Sequence, residues 1–91
     1  MFEYLPVEEA LFSNELGEFT SFGIKVFLVV DKKYEIGVAS DVSDDEITVG
    51  RIVNYCNNKQ INPLDLHQTV SLFIWTDQNM FLSKRGEYPR L

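Results

Sequence analysis

The first half of the chain alternates apolar and polar residues with the two-residue period of a β-strand. Clusters of turn-forming residues interrupt this alternation at 13–18 and 31–33. We predict three strands, over Phe2–Phe12, Thr20–Val30 and Tyr34–Ala39. Pro6 lacks a backbone N–H, which indicates that the first strand lies at a sheet edge or carries a bulge. The short connections favour an antiparallel meander.

The second strand has the clearest alternation and two unequal faces. Its even-numbered residues form one apolar face: Phe22, Ile24, Val26, Leu28 and Val30. Lys25 points to the other face, which also carries Phe27 and Val29. We therefore expect that the second face of this strand is not simply solvated.

After Val42 the apolar residues recur at the three- and four-residue intervals of a helix. We predict helices over Asp44–Asn57 and Pro63–Asp77. The apolar stripes are Val49, Ile52, Val53 and Cys56 on the first helix, and Leu66, Thr69, Val70, Phe73 and Ile74 on the second. Leu64, Leu72 and Trp75 lie well off the second stripe.

Each helix is preceded by a capping residue. Ser43 and Glu46 have the spacing of a capping box, and Asn62 precedes a proline at the first helical position. The segment Asn57–Asn58 predicts a left-handed exit from the first helix. The pairs Val42/Ile47 and Ile61/Leu66 have the spacing of a hydrophobic staple.

Together these elements predict an α+β fold in the order β-β-β-α-α, a three-stranded antiparallel meander with two helices packed on one face. Met80–Leu82 is a short apolar segment that we expect to form either a fourth strand or a strap packed on the domain. We expect one domain over residues 1–83 and a flexible tail over 84–91.

The composition is that of a folded, soluble domain. Of its 91 residues, 45% are hydrophobic, and no apolar run reaches the roughly 20 residues of a membrane span. Met1–Tyr4 has no basic region ahead of an apolar segment, so we expect no signal peptide. Cys56 is the only cysteine and forms no internal disulfide, which favours a reducing, cytoplasmic location.

Charge is uneven along the chain and acidic overall. The net charge of −6 argues against nucleic acid as a partner, because phosphate binding needs clustered Lys and Arg. Residues 1–24 contain five Glu and no Lys or Arg. The ordinary interpretation is a solvated surface, and the alternative is an acidic patch for a basic partner.

Several segments stand in the order of a known family: Phe22–Val26, Asp41–Ser43, Tyr55–Asn58 and Ile61–Leu66, followed by Val70 and Phe73. Over roughly Ser21–Phe73 the chain resembles a family of small uncharacterised proteins from Firmicutes, classed as a domain of unknown function. The resemblance implies a bacterial cytoplasmic source, and it implies no activity.

No set of residues in the sequence amounts to an active site. His67 is the only histidine and has no second ligand near it in sequence. Cys56 lies on an apolar stripe near a helix C-terminus, where packing rather than reactivity is expected. Asp41 and the run Asp44–Glu46 suggest a divalent-cation loop, but the helix dipole and cap account for them. We expect no catalytic, metal or cofactor site.

We therefore expect a non-enzymatic bacterial protein-interaction or regulatory accessory module that contacts another protein or a second copy of itself. The candidate interface consists of apolar residues left over after the core is assigned: Phe27, Val29, Leu64, Leu72 and Trp75. A homodimer would place Phe27 or Trp75 near its centre. A small-ligand binder is the alternative, with a pocket between sheet and helices lined by Tyr34, Tyr55 and phenylalanines.

Overall fold

The structure, a computed structural model, describes residues 1–84, and it describes side chains over residues 1–76. Three antiparallel strands form one open sheet in the order β1-β2-β3, and two helices follow, which confirms the predicted α+β fold. The strands are β1 (Phe2–Ser13), β2 (Gly17–Val29) and β3 (Lys33–Ser43). The helices are α1 (Glu46–Lys59) and α2 (Leu66–Lys84), with a short 3₁₀ helix (Pro63–Asp65) directly before α2.

β1 and β2 form a long hairpin with one uninterrupted register. The pairing runs from Phe2 opposite Leu28 to Ser13 opposite Gly17. Gly17 follows the turn at 14–16 with a φ of 72°, a left-handed conformation that glycine adopts without steric cost. The Ser13 hydroxyl accepts the Leu16 N–H at 2.9 Å and closes the loop.

β3 carries an irregularity opposite Phe22–Ile24, and a polar network surrounds it. Asp41 adopts a φ of 52° where the β2–β3 register shifts. The Glu9 carboxylate reaches over Gly23 to accept the Asp41 N–H and the Ser40 hydroxyl, both at 2.8 Å. The buried Ser21 hydroxyl donates to the Asp41 carboxylate at 2.6 Å. Glu9 of β1 is therefore hydrogen-bonded to Asp41 of β3 over the central strand.

The core lies between one sheet face and the helices. Tyr4 is opposite Val26 in the register, so both side chains point to the same face, and both are buried. The Tyr4 hydroxyl donates to the Ile61 carbonyl in the link between α1 and the 3₁₀ helix. The buried apolar residues are Tyr4, Ile24, Val26, Ala39, Val49, Ile52, Val53, Cys56 and Leu66.

α1 begins later than predicted, so the Ser43–Glu46 capping box is wrong. Asp45 is the N-cap, and its carboxylate accepts the Ile47 N–H at 3.0 Å. Ser43 is still in β3, and its hydroxyl accepts the Asp45 N–H. The hydrophobic staple predicted between Val42 and Ile47 is also wrong, because the Ile47 side chain is exposed. Because Ser43 pairs with Phe22 in the sheet, α1 begins two residues later than predicted.

α1 also ends later than predicted. The left-handed residue is Gln60 (φ 51°, ψ 51°) rather than Asn57–Asn58. The Ile61 N–H then bonds to the Cys56 carbonyl at 3.1 Å, the long hydrogen bond of a Schellman motif.

Two side-chain amides at the end of α1 cover the outer edge of β1. Asn57 accepts the Tyr4 N–H at 2.8 Å and donates to the Tyr4 carbonyl at 3.0 Å. Gln60 makes the same pair of bonds with Phe2, both at 2.9 Å. These two amides, which we call the amide clamp, occupy the positions that a neighbouring strand would take.

The cap before the second helix is confirmed. The Asn62 side chain accepts the Leu64 N–H at 3.0 Å, and Pro63 stands at the first helical position. The first turn is 3₁₀ rather than α, and α2 begins at Leu66.

The fourth strand that Met80–Leu82 suggested is wrong, because these residues are part of α2, which continues to Lys84. The chain from 78 to 84 contains no Gly or Pro, and good helix formers such as Met and Leu extend the helix. The tail predicted over 84–91 lies outside the described residues, apart from Lys84 at the end of α2.

Candidate functional site

A groove lies between the two helices in the described part of the chain. It has a volume of about 270 Å³. Its lining residues are Arg51 and Tyr55 from α1, and Thr69, Leu72, Phe73 and Thr76 from α2. The α1 residues are four apart, and the α2 residues follow the i, i+3, i+4, i+7 pattern of one helix face. We call this set of six residues the helix groove.

An aromatic pair lines the helix groove. The rings of Tyr55 and Phe73 meet edge to face, with centroids 5.2 Å apart at 65°. Both threonine hydroxyls already donate to backbone carbonyls four residues earlier, Thr69 to Asp65 at the end of the 3₁₀ helix and Thr76 to Leu72 within α2. The Tyr55 hydroxyl makes no hydrogen bond within the described residues, so it offers a polar group to a bound molecule.

The three predicted interface residues of the second helical region are all exposed. Leu72 is 59% exposed and lines the helix groove, and Trp75 is 63% exposed, three residues further along α2. Leu64 is 90% exposed but belongs to the 3₁₀ helix and does not line the groove. The structure therefore brings Leu72 to the groove and leaves Leu64 apart from it.

The predicted sheet-face residues lie in a different environment. Phe27 and Val29 are half-buried, and the Lys33 ammonium stands 5.6 Å from the centre of the Phe27 ring. In the register, Phe27 lies between Glu3 and Glu35. Two ion pairs cross this face, Lys33–Glu3 at 2.5 Å and Lys25–Glu35 at 3.2 Å. Charged side chains therefore interrupt the apolar surface around Phe27.

The buried ionisable groups are neutral at ordinary pH. Burial raises the pKa of the Cys56 thiol to about 11. Burial, with smaller contributions from Cys56 and Asp65, raises the pKa of Tyr4 to about 12. Neither group is poised as a nucleophile or base near neutral pH.

The described residues hold no group of three or more His, Cys, Asp or Glu that could bind a metal ion. His67 is exposed on α2. Asp45 caps α1, and Asp41 is held in the network of Glu9 and Ser21.

Sequence reasoning placed a pocket between sheet and helices, and the structure shows the groove between the two helices instead. Tyr55 and a phenylalanine do line it, but Tyr34 does not. The Tyr34 hydroxyl instead donates to Asp31 at 3.3 Å, beside the β2–β3 turn. The sequence signal for the groove was the i, i+3, i+4, i+7 spacing of residues between Thr69 and Thr76. The prediction assigned Thr69 and Phe73 to the apolar stripe and Leu72 to the surface, so it did not group them on one helix face.

Over the described residues, no helix combines the length and apolarity that crossing a membrane requires. Comparison with protein-family models, with curated proteins and with solved structures finds no match to this chain.

Proposed function

We propose that this chain is a non-enzymatic protein-interaction module that binds an apolar segment of a protein partner in the helix groove. The observation that carries the proposal is the Tyr55–Phe73 aromatic pair in a groove that the exposed Leu72 also lines. Exposed apolar groups gathered at a concave surface are typical of contact sites in small domains.

The chemistry of the groove suits a side-chain anchor of a partner. Aromatic residues dominate binding energy at interfaces, because a rigid ring buries a large area at low entropic cost. Trp75 stands beside the groove on α2, and Arg51 lines it on α1. Tyr, Trp and Arg are the residue types enriched among interface hot spots.

A small-ligand binder is the second candidate, and the dimensions of the groove favour it less. Its volume of about 270 Å³ falls just below the range of roughly 300–1,000 Å³ for drug-sized ligands. A thermal-shift screen against metabolites tests this candidate, because a true ligand raises the melting temperature by mass action.

Site-specific photo-cross-linking tests the proposal in cells that express the protein natively. A photo-reactive residue at position 72 should give one discrete protein adduct after irradiation. The matched control carries the same residue at position 64, which is more exposed but outside the helix groove. An equal adduct at position 64, or none at position 72, would contradict the groove as the binding site.

The same experiment separates a foreign partner from a second copy. An adduct of twice the chain mass supports a homodimer through α2, and sedimentation of the wild type should then show it. We also propose a bacterial source and a cytoplasmic location. The family resemblance supports the source, and the lone reduced cysteine supports the location.

A further inference from the structure

β1 lies at the edge of the sheet, and the amide clamp covers only the beginning of its outer edge. The clamp bonds to the backbone of Phe2 and Tyr4, which shows that even-numbered residues direct their N–H and C=O groups away from β2. Pro6 is the next outward-facing residue and has no N–H. The covered part of the edge therefore ends at Pro6.

Beyond Pro6 three outward-facing positions follow: Glu8, Ala10 and Phe12. The β1–β2 register is continuous, so the same alternation holds to the end of the strand. All three residues are exposed, and Phe12 is 71% exposed. No hydrogen bond from another described residue reaches their backbone groups. The edge thus offers three N–H and three C=O groups over about 13 Å, at roughly 3.3 Å per residue.

The charge around this edge indicates what would bind there. Glu8 lies on the same sheet face as Phe12 and Glu18, which oppose each other in the register. The first 24 residues contain five Glu and no Lys or Arg. A second copy would bring like charges together, whereas a basic strand would be attracted.

We propose that the edge of β1 from Glu8 to Phe12 binds an extended basic peptide as an added antiparallel strand. The peptide carries an apolar residue opposite Phe12 and, four residues later, a Lys or Arg opposite Glu8. The hydrogen bonds give affinity, and these two side chains give sequence preference. This surface is separate from the helix groove, so a negative result for one proposal does not affect the other.

The test uses the capped peptide Ile-Thr-Val-Thr-Arg and amide hydrogen exchange followed by NMR. With saturating peptide, the amides of Glu8, Ala10 and Phe12 should become protected. The amides of Glu9 and Leu11 already bond to β2 and should change little. A peptide N-methylated at the amides facing the edge should bind too weakly to protect them, because it cannot donate to the edge carbonyls and its methyl groups clash with the strand.

Two variants of the chain sharpen the test. Ala10→Pro removes an N–H that points away from β2, so the fold should survive while peptide affinity falls at least about tenfold. Glu8→Lys should weaken the Arg peptide about two- to fivefold and improve a peptide with Glu in place of Arg. Glu15→Lys, an equal charge change in the hairpin loop, should change the affinity of either peptide less than Glu8→Lys does, because it lies farther from the Arg or Glu position of the peptide.

Absence of protection at millimolar peptide would overturn the proposal, and so would equal binding of the N-methylated peptide. Protection that appears without peptide and rises with protein concentration would identify a second copy as the occupant. If Ala10→Pro fails to fold, the charge exchange at Glu8 and the N-methylated peptide still decide the outcome.

Discussion

Replacing Asn57 by alanine should cost far more stability than its partial exposure suggests. The side chain makes two hydrogen bonds, at 2.8 and 3.0 Å, to the backbone of Tyr4, a residue with 0% exposure. Each bond contributes about 1 kcal/mol, and each buried group left unpaired adds to the loss. We expect Asn57→Ala to lower the free energy of unfolding by about 2–3 kcal/mol.

The two ends of the amide clamp provide an internal comparison. Gln60 makes equivalent bonds to Phe2, but these lie in exposed surroundings where water replaces them. Gln60→Ala should therefore cost about 1 kcal/mol or less. The exposed Asn58 serves as the matched control, since surface substitutions usually stay within about 0.5 kcal/mol.

Urea titration measures all three variants under the same conditions. A loss of 2–3 kcal/mol in a domain of this size also lowers the melting temperature by about 10–20 °C. Hydrogen exchange should show faster opening of the Tyr4 amide in Asn57→Ala. If Asn57→Ala were no less stable than Asn58→Ala, the clamp would not stabilise the edge of β1 and our reasoning would be refuted.

Three further predictions follow from the fold. Gly23→Ala should lower the melting temperature strongly, because a Cβ there would lie 2.6 Å from a backbone carbonyl of β3. Circular dichroism measures the melting temperature, and a wild-type value would contradict this prediction. Asp45→Ala should cost about 1 kcal/mol, the usual loss for an N-cap, and more than Ser43→Ala; the reverse order in urea titration would restore the earlier helix start. The free energy of unfolding should be highest below pH 9 and fall as pH rises toward 12. The reason is that the folded pKa values of Cys56 (about 11) and Tyr4 (about 12) exceed their unfolded values. A melting temperature that stays constant across pH 8–11 would exclude this linkage.

The sequence predicts those features of the fold that depend on burial alone. The even-numbered residues of β2 show the buried face, and Ile24 and Val26 are indeed buried there. The α1 stripe is confirmed in the same way, since Val49 and Ile52 have no exposed surface. Periodicity identifies these elements because each buries one side of a regular structure.

Element boundaries depend on competition that local sequence does not resolve. Ser43 and Asp45 are both good capping residues, and only the pairing of Ser43 with Phe22 keeps the former in β3. The amide clamp is harder still to predict, because Asn57 and Tyr4 are 53 residues apart. An Asn at a helix end says nothing about a strand edge until the fold brings the two together.

The helix groove depends on how the two helices pack, which sequence periodicity does not give. Tyr55 was expected to line a pocket between sheet and helices, whereas it lines the groove between the two helices, where its ring meets that of Phe73 on α2. Leu72 was correctly assigned to the surface, while its place beside the aromatic pair required the structure.

The dissociation constant of the cross-linked partner, measured for matched leucine variants, tests the helix groove most directly. Leu72→Ser should weaken binding about tenfold, equivalent to about 1.4 kcal/mol, because it removes an apolar contact inside the groove. Leu64→Ser removes the same side chain from a more exposed position outside the groove and should leave affinity within about twofold. Equal affinities of Leu72→Ser and wild type, or a larger loss in Leu64→Ser, would contradict binding in the helix groove.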